Sequence, residues 1–239
     1  MTTQLQSAAA TAKHAGPPLW LPASLYTVLF IAGLVPVTMF GGLPYWPGPW
    51  EPAAVITHFF QTQAPRVLTC IFLQIGATIC LGLFTAVVVS RLHFLGVRAA
   101  GVHIALFGGF LTVFDGLVSA FSTWASINPA VAASAPVLLG LYYFGFALGG
   151  PGFSMPMGLL MAGVSATSAF RKLLPKWLIV LGLLLAAAGE LSFFYFLSPK
   201  LLFLIPLTRF PGFIWIVAVG FLMPNRRPNQ GSPGTSPIQ

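Results

Sequence analysis

Three side chains carry charge inside long apolar runs: Asp115, Glu190 and Arg209. An ionised group in hydrocarbon costs several kcal/mol unless it is protonated, paired or hydrated. Residues held at that cost are the first place to look for chemistry, whether proton transfer, anion handling or an ion pair between helices. Gly108, Thr112, Asp115, Ser119 and Ser122 follow one another at spacings of 4, 3, 4 and 3. That rhythm keeps all five on one helical face. A stripe of small and polar residues on an otherwise apolar helix is expected to face other helices or a cavity. Gln74, Thr78 and Thr85 make a shorter stripe, projecting within about 40° of one another at ~100° per residue. Gly182, Ala186 and Gly189 form a small-residue seam beside Glu190, and Arg209 stands between Pro206 and Pro211. The candidate site drawn from these patterns is Asp115, Glu190 and Arg209, with Thr112, Ser119, Gln74 and Thr78.

Other chemistries lack their parts. The histidines are His14, His58, His93 and His103. Haem ligation in a membrane needs paired histidines on facing helices at one depth, and His58 and His103 belong to opposite ends. No three or four ligands converge for zinc. His58 with Glu51 gives no catalytic set. The glycines of GGPGFSMP (149–156) are followed by no lysine at phosphate-loop spacing and preceded by no strand. Met155 and Met157 beside them read as packing in a kinked helix. Cys70 and Cys80 lie about 15 Å apart along one helix, too far to bridge. No cofactor is expected, no catalytic nucleophile is evident, and the reading leans away from an enzyme.

The elements that hold the candidate residues follow from composition. The chain has 239 residues, 57% hydrophobic and only 6% charged. So few charges cannot cover a water-facing surface, for which roughly a quarter charged is usual, so the solvent is largely lipid. The apolar residues come in runs long enough to cross a bilayer, about 20 residues each. Spans are expected at 20–40, 67–90, 101–125, 132–169, 176–197 and 200–223. Together they make a single all-α polytopic bundle over residues 19–223. The fourth run is too long for one straight crossing, and its glycines and prolines predict a kink or break at 149–156. The first run is longer than a signal-peptide core and has no clean cleavage site after it, so it reads as a retained helix. Between the first two spans, Tyr45, Trp46 and Trp50 suit a membrane–water interface. A short outer interfacial helix is expected after Glu51, with Val55, Ile56, Phe59 and Phe60 on its buried side. Residues 1–18 and 224–239 read as disordered tails.

The net charge of +8 does not point to nucleic acid, because the basic residues are scattered between apolar runs rather than clustered. They test the topology instead. With the amino terminus inside, Lys13, Arg91, Arg98, Arg171, Lys172, Lys176, Arg226 and Arg227 fall inside, and Arg66, Lys200 and Arg209 outside. Positive charge favours the cytoplasmic side, so six spans with both termini cytoplasmic are expected, in contact with anionic headgroups. On this map the three buried charges share the outer half of the membrane. Arg209 is then expected to pair with Glu190, Asp115 or both. Glu190 is favoured because a short loop joins the fifth and sixth spans.

The runs LLGLYYFGFALGGPGF, GLLMAGVSATSAFRKLLPKWLIVLGLLLAAAG and GFIWIVAVGFLMPNRR give the second half of the chain a further cue. It resembles the bacterial six-helix membrane proteins of domain-of-unknown-function family 4386. The shared features are a small-residue fourth helix, a basic turn ending in LPKWL, a Gly-rich fifth helix and a tryptophan in the last. The resemblance implies six helices and a bacterial inner membrane. It implies no activity and no functional residues. Two functions remain open from the residues themselves. One is an outward-facing polar cavity that binds or moves a small solute or protons. The other is a non-catalytic interaction or assembly role, in which the small-residue seams of the fourth and fifth spans meet another membrane protein or a second copy.

Overall fold

The computed structural model of the chain describes residues 13–227. Six helical segments are long and apolar enough to cross a membrane: Trp20–Val37, Ala64–Phe94, Ala100–Ser126, Ala135–Arg171, Lys176–Phe196 and Pro199–Leu222. No strand element occurs among the described residues. The outward surface carries Leu25, Val28, Phe72, Leu83, Phe107, Phe114, Leu184, Ile214 and Phe221, all exposed. An apolar exterior of this extent needs lipid around it. The chain is an all-α, multi-pass integral membrane protein.

The helices are α1 (Trp20–Leu34), α2 (Ala53–Thr62), α3 (Ala64–Phe94), α4 (Ala100–Ser126), α5 (Pro129–Ala132), α6 (Ala135–Ala147), α7 (Phe153–Arg171), α8 (Lys176–Leu191) and α9 (Leu204–Leu222). Each span packs on the next, α1 on α3, α3 on α4, α4 on α7, α7 on α8 and α8 on α9, and α9 returns against α1. The six spans therefore close a ring in chain order. Half of that ring is filled by Leu81, Phe84, Val88, Leu92, Met157, Leu160, Met161, Val164, Trp215, Ile216 and Val219. This is the half nearest both chain ends, called here the terminal half. The other half is called distal.

Small residues set the closest approaches. A Cβ on Gly108 of α4 would lie 2.5 Å from the Pro156 carbonyl oxygen and 2.6 Å from the Leu160 nitrogen of α7. Only glycine lets those two backbones meet. The seam of Gly182, Ala186 and Gly189 is likewise consumed inside the bundle. Gly182 packs on Ser165 and Trp215, and Gly189 packs on Ser154 and Gly158.

The fourth span breaks where the sequence predicts, through a π-helical turn at Leu148–Gly152. Pro151 has no N–H to return to Ala147 and its ring crowds that turn. Widening the turn by one residue accommodates both. Gly152 completes the accommodation, because a Cβ there would sit 2.9 Å from the Ala147 carbonyl oxygen.

At the distal end, α2 buries Ile56, Phe59 and Phe60 against Trp46 and Tyr142. Val55 was expected on the same side but is 47% exposed. At ~100° per residue the buried arc runs from Phe59 through Ile56 to Phe60, and Val55 falls about 40° beyond its Phe59 edge. The disordered tails also need correction where they are described. The Lys13 backbone bridges to Arg226, and the His14 N–H donates to the Asn225 carbonyl at 2.9 Å. Residues 1–12 and 228–239, also read as tail, lie outside the described residues.

Candidate functional site

A cavity of about 290 Å³ occupies the distal half of the ring. Five of the six spans line it. α1 brings Phe30 and Leu34, α3 brings Cys70, Gln74 and Thr78, and α4 brings Gly116, Ser119 and Thr123. The fourth span brings Tyr142, Phe146, Gly149 and Phe153, and α9 brings Ile205 and Arg209. Val37, Thr38 and Trp46 line it toward the distal end. The loop that joins them is held by Arg66, whose guanidinium donates to the carbonyls of Pro36, Pro44 and Gly42. From the sequence alone Arg66 is only an outside basic charge.

The walls are mostly apolar and aromatic, and most of their neutral polar groups are already engaged. Gln74 Nε2 donates to the Phe30 carbonyl at 3.1 Å, and the Thr78 hydroxyl donates to the Gln74 carbonyl at 2.7 Å. Ser119 donates to Gly145 at 2.7 Å, Thr123 to Ser119 at 2.9 Å, and the Tyr142 hydroxyl to Pro47 at 2.7 Å. Of these, the Ser119 bond ties α4 to α6, as does Ser122 Oγ donating to Leu141 at 2.7 Å.

Arg209 is different. Its Nη2 donates to the Gly149 carbonyl, which the π turn presents. Its guanidinium lies over the rings of Phe153, at 4.6 Å, and Phe30, at 5.4 Å. A guanidinium is weakly hydrated and tolerates aromatic faces. Its Nε is enclosed without a partner, and Nη1 makes no hydrogen bond to the protein. The expected pairing does not form. Among the described residues no carboxylate oxygen comes within 4.0 Å of Arg209. Glu190 Oε1 is buried without a partner, against Gly158 of α7. Asp115, 8% exposed, turns its carboxyl toward Gly152.

The structure thus gathers Arg209, Ser119, Gln74 and Thr78 in one cavity and leaves Asp115, Glu190 and Thr112 outside its lining. Thr112 is fully buried and returns its hydroxyl to the Gly108 carbonyl at 2.7 Å. The helical stripe of α4 is split by its neighbours. Its Gly108–Thr112 part is pressed on α7, and only Ser119 reaches the open space.

Two further features lie at the terminal end. His93 and His103 flank the α3–α4 turn with ring centroids 5.7 Å apart. Arg91, buried within α3, donates to the Met223 carbonyl at 3.3 Å. No group of three His, Cys, Asp or Glu side chains placed to hold a metal occurs among the described residues. No protein-family model, no curated protein and no solved structure matches the chain.

Proposed function

We propose that this protein, with both termini cytoplasmic in a bacterial inner membrane, binds or moves a small solute through its distal cavity, which opens outward. Kinship with the six-helix family named above is proposed on the same footing. The observation that carries the reading is the cavity itself. It is about 290 Å³ of space inside a ring whose other half is packed solid. It is lined by aromatic rings and one guanidinium without a carboxylate partner. Sites of this make-up, mostly apolar with a few fixed polar groups, are where small molecules bind. The eight-to-three distribution of basic residues obtained with the amino terminus inside supports an outer position for the cavity.

The interaction role has less support. The seams it would use, Gly182, Ala186 and Gly189, are buried between α8 and its own neighbours.

Single cysteines test the reading. With Cys70 and Cys80 replaced by serine, cysteine is placed at Thr112, Ser119 and Thr123, and intact cells are treated with a small membrane-impermeant thiol reagent. Ser119→Cys and Thr123→Cys should react and Thr112→Cys should not. Equal silence at all three positions in a folded protein would refute an outward-open cavity.

A further inference from the structure

The donors of the cavity wall carry information about its ligand. Gln74, Thr78, Ser119, Thr123 and Tyr142 each give their hydrogen-bond donor to a backbone carbonyl. Apart from Gln74's second amide hydrogen, the Trp46 indole N–H and the weak Cys70 thiol, what remains is the Thr38 hydroxyl, buried without a partner, and the unbonded N–H groups of Arg209. A neutral polar solute therefore finds few donors, while an anion finds a cation whose own protein contacts are a carbonyl and two π faces. Neither kind of contact neutralises it. A charge desolvated in this way attracts its counter-ion far more strongly than one in water. The rest of the wall, Phe30, Leu34, Trp46, Ile71, Phe146 and Phe153, is apolar. A hydrated inorganic anion would lose its water there without replacement. The volume has room for about ten heavy atoms, at ~30 Å³ each.

We infer that the distal cavity takes a small amphipathic monoanion, with its single carboxylate or phosphodiester head on Arg209 and its apolar body against the aromatic wall. The inference rests on the solute-binding reading above and names its substrate class. One cation selects one negative charge. The Phe30 and Phe153 rings hold the guanidinium in place, so its free N–H groups are already oriented before the anion arrives, and less ordering is required on binding. The same chemistry is offered by a free carboxylate in the outer aqueous phase and by the head of an anionic lipid.

The test uses Trp46, which lines the cavity, and three probes of one shape: ω-bromo-octanoate, ω-bromo-octanol and ω-bromo-octylamine. The full-length protein is placed in phosphatidylcholine nanodiscs, and bromine quenching of tryptophan is titrated. Bromo-octanoate should quench saturably, at least about tenfold more tightly than the alcohol or the amine. Trp46→Phe should remove the saturable part. Arg209→Gln should erase the preference for the acid. Arg209→Lys keeps a cation there and should retain the preference, so a folding defect in one variant leaves the other to decide.

Adding phosphatidylglycerol to the discs separates the sources. Competition with the acid supports a lipid anion as the natural occupant, and its absence supports a free one. Equal or tighter binding of the alcohol or the amine would overturn the ligand class while leaving a solute-binding cavity standing. Silence from all three probes would also overturn the class. Whether the cavity reading falls with it is then read from the Ser119→Cys labelling.

Discussion

The two arginines of the distal half are satisfied in opposite ways. Arg66 spends its fork on the carbonyls of Pro36, Pro44 and Gly42 and so fixes the loop that carries Trp46. Arg209 reaches one carbonyl, that of Gly149, and two aromatic faces, leaving Nε and Nη1 without protein acceptors. The first arrangement is structural and complete, and the second is open to a ligand. A third polar contact, at the terminal end, makes a prediction in pH. His14 accepts the Gly16 N–H at Nδ1, 3.2 Å away, which leaves its proton on Nε2 for Ser90 at 3.0 Å. Burial, with Arg91 nearby, holds its pKa below the usual 6.5. The folded protein then binds fewer protons than the unfolded chain just below that value, so stability should fall as pH drops through it and be fully present above. The apparent Tm of the purified protein should decline from about pH 7 to about pH 5, and His14→Gln should flatten the decline. Parallel profiles for the two proteins would exclude this role.

At the scale of elements, the α4–α7 contact and the π turn decide where the space is. Gly108 brings α4 onto α7, and the π turn presents the Gly149 carbonyl to Arg209 in the distal half. Gly108→Ala would drive a methyl into the Pro156 carbonyl and Leu160 nitrogen, which are backbone and cannot rotate away. It should cost about 1–3 kcal/mol of unfolding free energy. Gly140→Ala, on α6 with nothing within 4 Å of its Cβ, should be neutral or stabilise by up to about 1 kcal/mol. Denaturant titration of the two variants in mixed micelles measures the difference, and equal costs would contradict the packing described.

These elements also show what the sequence makes legible. Six spans can be read because lipid leaves apolar runs uninterrupted, and the π turn can be read because Gly149, Gly150, Pro151 and Gly152 have few other uses. Arg209, Ser119, Gln74 and Thr78 stand out as polar groups where polarity is costly. Ion pairing fails as an expectation because it rests on depth and on the short loop between the fifth and sixth spans, neither of which fixes the facing of a side chain. Depth is legible from helical rise, whereas azimuth is not, and α8 turns Glu190 toward Gly158, away from the cavity. The aromatic wall is illegible for another reason. Among 22 phenylalanines, nothing local distinguishes Phe30 and Phe153 from those that face lipid.

For the whole molecule, a ring closed in chain order and filled at one end leaves a single direction in which its interior space faces. The first and last described residues meet at the filled side, where Lys13 bridges to Arg226 and Arg227 lies over Phe94 at 5.1 Å. The central claim is that this space is wet, reaches the outside and carries an uncompensated positive charge. The rate at which a cysteine at Ser119 reacts with small impermeant thiol reagents of opposite charge measures all three properties at once. The anionic reagent should react at least about tenfold faster than the cationic one, corrected for their intrinsic rates, because a guanidinium at close range favours it by more than 1.4 kcal/mol at low effective dielectric. Arg209→Gln should abolish that preference. A faster cationic reagent, or a preference that survives the loss of Arg209, would contradict the account.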